Sequence, residues 1–175
     1  ADRGAAGLAA PGRRGRTHPV GADAGARGRT VSGWLIDTNV LSELRRPRPD
    51  ARVVEFVAAQ PLESLFVSEV TLAEIRFGIE CVDDALRRRE LHEWLDCRVR
   101  PMFRQRTLPV SEDVLLRWRL LVEQGRKAGH TYSQPDLFIA ATALHHGKTL
   151  VTRNTPDFVR TGVALLDPWA TPADR

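Results

Sequence analysis

WLIDTNVLSEL, residues 34–44, carries an apolar run straight into Asp37-Thr38-Asn39. The apolar run reads as a short buried strand over 33–37. The residues after it read as a short helix over Asn39–Arg46 that stops before Pro47 and Pro49. The acid therefore stands at the joint between the two. Two readings fit it there: a cap for the helix, or one wall of a site. The stretch alone does not choose between them.

Working outward, the same alternation repeats. Asp50 is placed to cap ARVVEFVAAQ, with Val53, Val54 and Val57 as its inner face and Pro61 beyond its end. SLFVS, 64–68, reads as a second strand, and Ser68 as the cap of a helix to about Cys81. A charged segment, 83–105, holds Leu86, Leu91, Trp94 and Leu95 at roughly helical spacing. RTLPV gives a third strand. Ser111 caps a helix over Glu112–Lys127 with Leu115, Trp118, Leu121 and Val122 inward, and Gly129 closes it. Ser133 opens PDLFIAATALHH, which ends at Gly147; TLVT (149–152) and VALLD (163–167) are the fourth and fifth strands. Short strands alternating with helices predict an α/β fold with a mostly parallel sheet of about five strands, covered on both faces. Sites in such sheets form outside the carboxyl ends of the strands, near a switch in strand order.

Composition narrows the class. A chain of 175 residues with 42% apolar and 27% charged content suits one globular domain with a real core. No apolar run approaches the roughly 20 residues of a membrane-spanning helix. The net charge of +4 suggests nucleic acid, yet it lies in residues 1–33, where six arginines face two aspartates. Residues 34–175 hold 20 basic and 20 acidic residues, so the body is neutral. Residues 1–32 are Ala-, Gly- and Arg-rich and read as a disordered basic tail, or as a start placed upstream of the true one near Val31. They hold no apolar segment of the kind that secretory signals carry. Residues 171–175 read as a flexible end, and residues 33–170 as the domain. Cys81 and Cys97, 16 apart, read as buried or incidental thiols of a cytoplasmic protein.

The acids fall where that fold builds sites. Asp37 follows the first strand, and Glu74 lies on the helix after the second. Asp136 lies in the first turn of the helix before the fourth strand, and Thr152, Arg153, Asn154 and Asp157 follow that strand. Several carboxylates on one rim repel one another, and Mg²⁺ or Mn²⁺ resolves the conflict because hard cations favour oxygen ligands. A cation held this way activates water and stabilises displacement at phosphorus. Each acid also has a plain reading. Asp37 is a cap, Glu74 a solvated helical acid, Asp136 the partner of Ser133 in a capping box, and Asp157 a turn acid after Pro156. His145-His146 reads as a solvated pair at a helix end, and Arg87-Arg88-Arg89 as a solvated face. Trp94 and Trp118 read as core or dimer interface, and Trp169 as an anchor of the carboxyl-terminal end.

Five motifs carry a resemblance over about 33–170: LIDTNVLSEL (35–44), VSEVTLAEIRFGIE (67–80), QPDLFIAATALHHG (134–147), LVTRNTPDF (150–158) and LLDPW (165–169). In this order they resemble the PIN-domain nucleases, in particular the VapC-type toxins of bacterial toxin–antitoxin pairs. The resemblance implies a three-layer α/β/α fold and a metal-dependent endoribonuclease using Mg²⁺, with Mn²⁺ as a substitute. It also implies an RNA substrate, a homodimer and a small antitoxin partner. By the same match, Asp37 and Asp136 are the principal metal ligands, and Glu74 completes the set or orients the water. Thr152 matches the hydroxyl of the last motif, and Thr38 and Asn39 match positions that hold Asp37. Asn154 departs from the pattern, since several members place a fourth acid there; Asp157 is the nearby acid able to compensate.

Two rivals remain. A haloacid-dehalogenase-type phosphatase also places an aspartate after its first strand, but its chemistry wants a second acid two residues on, where Asn39 stands. A degenerate binding protein on the same fold, its site lost at Asn154, would bind antitoxin or RNA without cutting.

Overall fold

The computed structural model describes residues 33–171. The expectations for residues 1–32 and for 172–175 lie outside the described residues.

Five parallel strands form the sheet: β1 (Trp34–Ile36), β2 (Leu65–Ser68), β3 (Thr107–Leu108), β4 (Thr149–Val151) and β5 (Leu165–Leu166), in the order β3-β2-β1-β4-β5. Every pairing is parallel, so the expected "mostly parallel" sheet is wholly so. Alternation along the strands assigns the two faces. Leu35 and Leu150 pack on one side, Ile36, Val67 and Val151 on the other. The second of these faces is covered by α1 (Thr38–Leu44), α2 (Ala51–Ala58), α3 (Glu69–Glu80) and α4 (Ala85–Trp94), through Val40, Val53, Ile75 and Leu91 among others. The first is covered by α6 (Glu112–Lys127), α7 (Gln134–His145) and α8 (Thr155–Phe158), through Val114, Ile139 and Phe158. This is a three-layer α/β/α arrangement.

The strand order places a topological switch between β1 and β4. The chain leaving β1 turns onto one face and the chain leaving β4 onto the other, so a crevice opens at their carboxyl ends.

The expected caps form. Asp50 accepts from Arg52 N–H, Ser68 from Thr71 N–H and Ser111 from Val114 N–H. Ser68 is fully buried and also shares a 2.8 Å hydrogen bond with Thr71 Oγ1, which fixes where α3 starts.

Three expected inner faces need correction. Val53 is buried but Val54 is 39% exposed, because α2 covers the core with a narrow stripe. On α6, Val114 is buried and Leu115 faces outward, which turns the stripe by one residue. Leu86 is also exposed, whereas Leu91 and Leu95 are buried. The segment containing them is helical throughout, but α4 widens into a π turn over Leu95–Val99 before α5 (Arg100–Met102). Pro101 explains the widening: it offers no N–H, and its ring clashes with the carbonyl four residues back. The wide turn keeps Leu95, Val99 and Phe103 all facing the core. Cys81 and Cys97 are free and exposed rather than buried.

Gly125 marks a close approach between α6 and the segment leading to α7. A Cβ there would lie 2.7 Å from the Tyr132 ring and 2.8 Å from the His130 carbonyl oxygen. Trp118 stacks on Phe138 at 4.7 Å and donates to Gln134 Oε1, so α6 holds the first turns of α7.

Candidate active site

The carboxyl end of β1 delivers Asp37, whose extended backbone (φ −79°, ψ 160°) also makes it the N-cap of α1. Its two oxygens separate the two roles that the sequence left open. Oδ1 accepts from Thr38 N–H at 2.7 Å. Oδ2 faces across the switch point and accepts from Thr152 Oγ1 at 2.6 Å and from Asn39 Nδ2 at 2.7 Å. Asp37 is only 6% exposed, and Thr152 is buried.

The loop after β4 is tied to the start of α1. Thr152 Oγ1 accepts from Asn39 Nδ2 (2.9 Å) and from Asn154 N–H (3.0 Å). Asn39 Oδ1 in turn accepts from Arg153 N–H at 3.3 Å. Asn39 thus holds Asp37 and Thr152 together.

Glu74 reaches the same rim from α3. Its Oε2 accepts from Thr38 Oγ1 at 2.8 Å. The Thr38 hydroxyl therefore serves Glu74, while its backbone N–H serves Asp37, a division the sequence did not reveal. Asp136 arrives from the first turn of α7. The expected capping box is not formed: the Ser133 carbonyl accepts from Leu137 N–H, but its side chain makes no bond to the helix backbone and favours the Asp136 carboxylate instead.

The three acids share one electrostatic environment, in which each carboxyl is raised. Burial pushes the Asp37 carboxyl above its ordinary range, against the hydrogen bonds from Thr152, Thr38 and Asn39. Glu74 is raised by burial, partly offset by Thr38, and raised further by the charges of Asp37 and Asp136. Asp136 is raised by burial, offset by Ser133, and raised again by Asp37 and Asp157. Asp157 is exposed, its charge reaches Asp136, and the Asn154 amide donates to its Oδ2.

Among the described residues, no group of three or more His, Cys, Asp or Glu side chains closes to metal-holding geometry. The three carboxylates repel and each is turned toward a hydroxyl. Nor does any basic side chain among the described residues form an ion pair with them. All-oxygen donors, partly buried and without a countercharge among the described residues, fit a hard divalent cation, which needs only one or two carboxylates and keeps its waters. They do not fit a soft metal that prefers sulfur.

Other candidates lie elsewhere. His145 is exposed, but His146 is half buried, and burial with His145 and Lys148 nearby favours its neutral form, so the two are not a solvated pair. Arg87 pairs with Glu90, and Arg88 donates to the Val82 carbonyl. A cavity of about 320 Å³ beside β3, lined in part by Glu69, Arg76 and Arg100, includes none of the three acids. Glu43 is a buried acid that sequence reading missed; it accepts from Asp50 N–H and pairs with Arg46, so its role is to join α1 to α2.

Known proteins share this architecture. The PIN domain family profile matches residues 34–163. The toxin FitB of Neisseria gonorrhoeae is 36% identical over 77% of this chain and 97% of its own. The crystal structure of FitAcB from that organism superposes with a TM-score of 0.74 at 36% identity, over 79% of this chain and 99% of the other. The VapC ribonuclease Y4jK of Sinorhizobium fredii is 36% identical over 77% of this chain and 96% of its own. A toxin–antitoxin complex from Klebsiella pneumoniae matches with a TM-score of 0.58 at 26% identity, over 79% of this chain and all of that one.

Proposed function

Since the chain belongs to the PIN-domain family, we propose that it is an endoribonuclease that acts as the toxin of a toxin–antitoxin pair. The observation that carries the reading is the convergence of Asp37, Glu74 and Asp136 at the β1/β4 switch point, with no basic partner among the described residues. Its relatives named ribonuclease and toxin agree with it. The phosphatase alternative finds no support, because position 39 is an amide whose bonds are spent on Asp37 and Thr152.

The finer reading concerns the cation. Asp37 and Asp136 would hold Mg²⁺, or Mn²⁺ in its place, with Glu74 completing the set. When bound, such an ion supplies Lewis acidity toward a phosphoryl oxygen and lowers the pKa of an attacking water. The chain's own groups do the rest. Asn39 and Thr152 hold Oδ2 of Asp37 from two sides, and Thr38 fixes Glu74. In this reading Glu74 orients the attacking water and takes its proton, which its raised proton affinity supports. Asp157, aimed by Asn154, supplies the fourth negative charge that Asn154 itself lacks.

A nuclease of this kind, acting in the cytoplasm, requires restraint, and the partner is a small antitoxin. The free chain forms a homodimer. Exposed Phe77, Leu86, Leu116 and Leu120 leave apolar surface for such contacts. Light scattering that returned a monomer mass at micromolar concentration would count against the dimer. Induced expression should arrest bacterial growth, Asp37→Asn should relieve the arrest at equal protein level, and the neighbouring antitoxin gene should relieve it for wild type. Growth arrest by Asp37→Asn equal to wild type would exclude Asp37 as an essential ligand.

A further inference from the structure

The side chain of Arg153 has no part in the chemistry described so far. Its backbone N–H bonds Asn39 Oδ1, and it directly follows Thr152, whose hydroxyl touches Asp37. The guanidinium lies over the Trp169 ring at 5.7 Å, and no carboxylate among the described residues forms an ion pair with it. Trp169 is itself anchored, because its backbone N–H donates to Asp167 Oδ1 at 2.8 Å and its ring packs half-buried against the core. An arginine stacked by one face keeps its edge N–H donors in a planar fork, which matches a phosphate bidentately. The neighbouring rim is acidic, so an approaching polyanion needs a cation beside it.

We infer that Arg153, held by Trp169, binds a backbone phosphate of the RNA beside the one that is cut. Arg153 makes the contact and Trp169 is a positioning residue. The inference rests on the ribonuclease reading above and adds the path of the strand: it runs from the three acids over the loop after β4 toward the carboxyl-terminal segment. An acidic peptide is the competing ligand. Position favours RNA, since Arg153 directly follows Thr152, whose hydroxyl holds Asp37.

The test is fluorescence anisotropy of a non-cleavable single-stranded RNA analogue on wild type, Arg153→Ala, Arg153→Lys and Trp169→Leu, with Mg²⁺, across a range of salt. Thermal melts establish that each variant is folded. Arg153→Ala should weaken binding about tenfold, the order expected of one charge-assisted contact. Its plot of log affinity against log salt should be shallower by about 0.7, one phosphate contact fewer on a single strand. Arg153→Lys should restore the slope with only part of the affinity. Trp169→Leu should keep the slope and lose affinity. A wild-type slope and affinity in Arg153→Ala overturns the inference. So does a selective loss of antitoxin binding in that variant with RNA binding intact, which would assign the guanidinium to an acidic peptide. Failure of wild type to cleave RNA would instead strike the ribonuclease reading, and the binding slopes would still decide the role of Arg153.

Discussion

At the residue scale, Asp37 caps α1 through Oδ1 and turns Oδ2 toward Thr152, so one carboxyl can serve both the helix and the proposed site. Thr152 is the group that keeps Oδ2 aimed across the switch point. Removing its hydroxyl in Thr152→Val leaves the fold's apolar contacts and deletes the donor. Activity should fall roughly 10–100-fold, as for other groups that orient a metal-binding carboxylate, in single-turnover RNA cleavage. A loss under twofold would show that Asn39 alone suffices. The acids also set a pH dependence. All three carboxyls are raised above their ordinary values of 3.8 for Asp and 4.5 for Glu. Across that window the folded chain binds more protons than the unfolded one, so stability falls as pH rises. Asp136→Asn removes one of the repelling charges. In chelator, its Tm should exceed that of wild type at pH 7.5, and the difference should shrink toward pH 4. A Tm at or below wild type at pH 7.5 would contradict the repulsion.

At the element scale, the starts of the helices decide where the acids point. Ser68, fully buried, satisfies Thr71 N–H and Thr71 Oγ1, and so sets the rotation of α3 that presents Glu74. Ser68→Ala should cost about 1–2 kcal/mol, as a lost buried cap does, read as a lower urea midpoint, with cleavage reduced in the folded fraction. An unchanged midpoint would mean that water replaces the cap. The caps at Asp50, Ser68 and Ser111 were legible in the sequence because capping is local chemistry. The facing of Val54, Leu86 and Leu115 was not, since it depends on which neighbours cover each helix. The Ser133 cap failed for a related reason: its hydroxyl is drawn to Asp136, whose surroundings only the tertiary fold supplies.

For the whole molecule, alternation of short strands and helices sufficed to read a parallel sheet with its site at the carboxyl rim. The convergence of Asp37, Glu74 and Asp136 followed from their motifs, but the contacts that hold them did not. Thr38 and Glu74 lie 36 residues apart, and Asp37 and Thr152 lie 115 apart, so no spacing rule connects them. Strand order makes both contacts, by setting β4 beside β1 and α3 beside the first turn of α1. The same order gathers the acids without a basic partner among the described residues, and the proposed function assigns the charge balance to a cation. The most direct measurement is cleavage of a labelled single-stranded RNA by the purified chain, freed of antitoxin, as Mg²⁺ is titrated. Cutting that rises with Mg²⁺, stops in chelator and is lost in both Asp37→Asn and Asp136→Asn is the predicted result. RNA cut equally well in chelator, or by either variant at the wild-type rate, would contradict it.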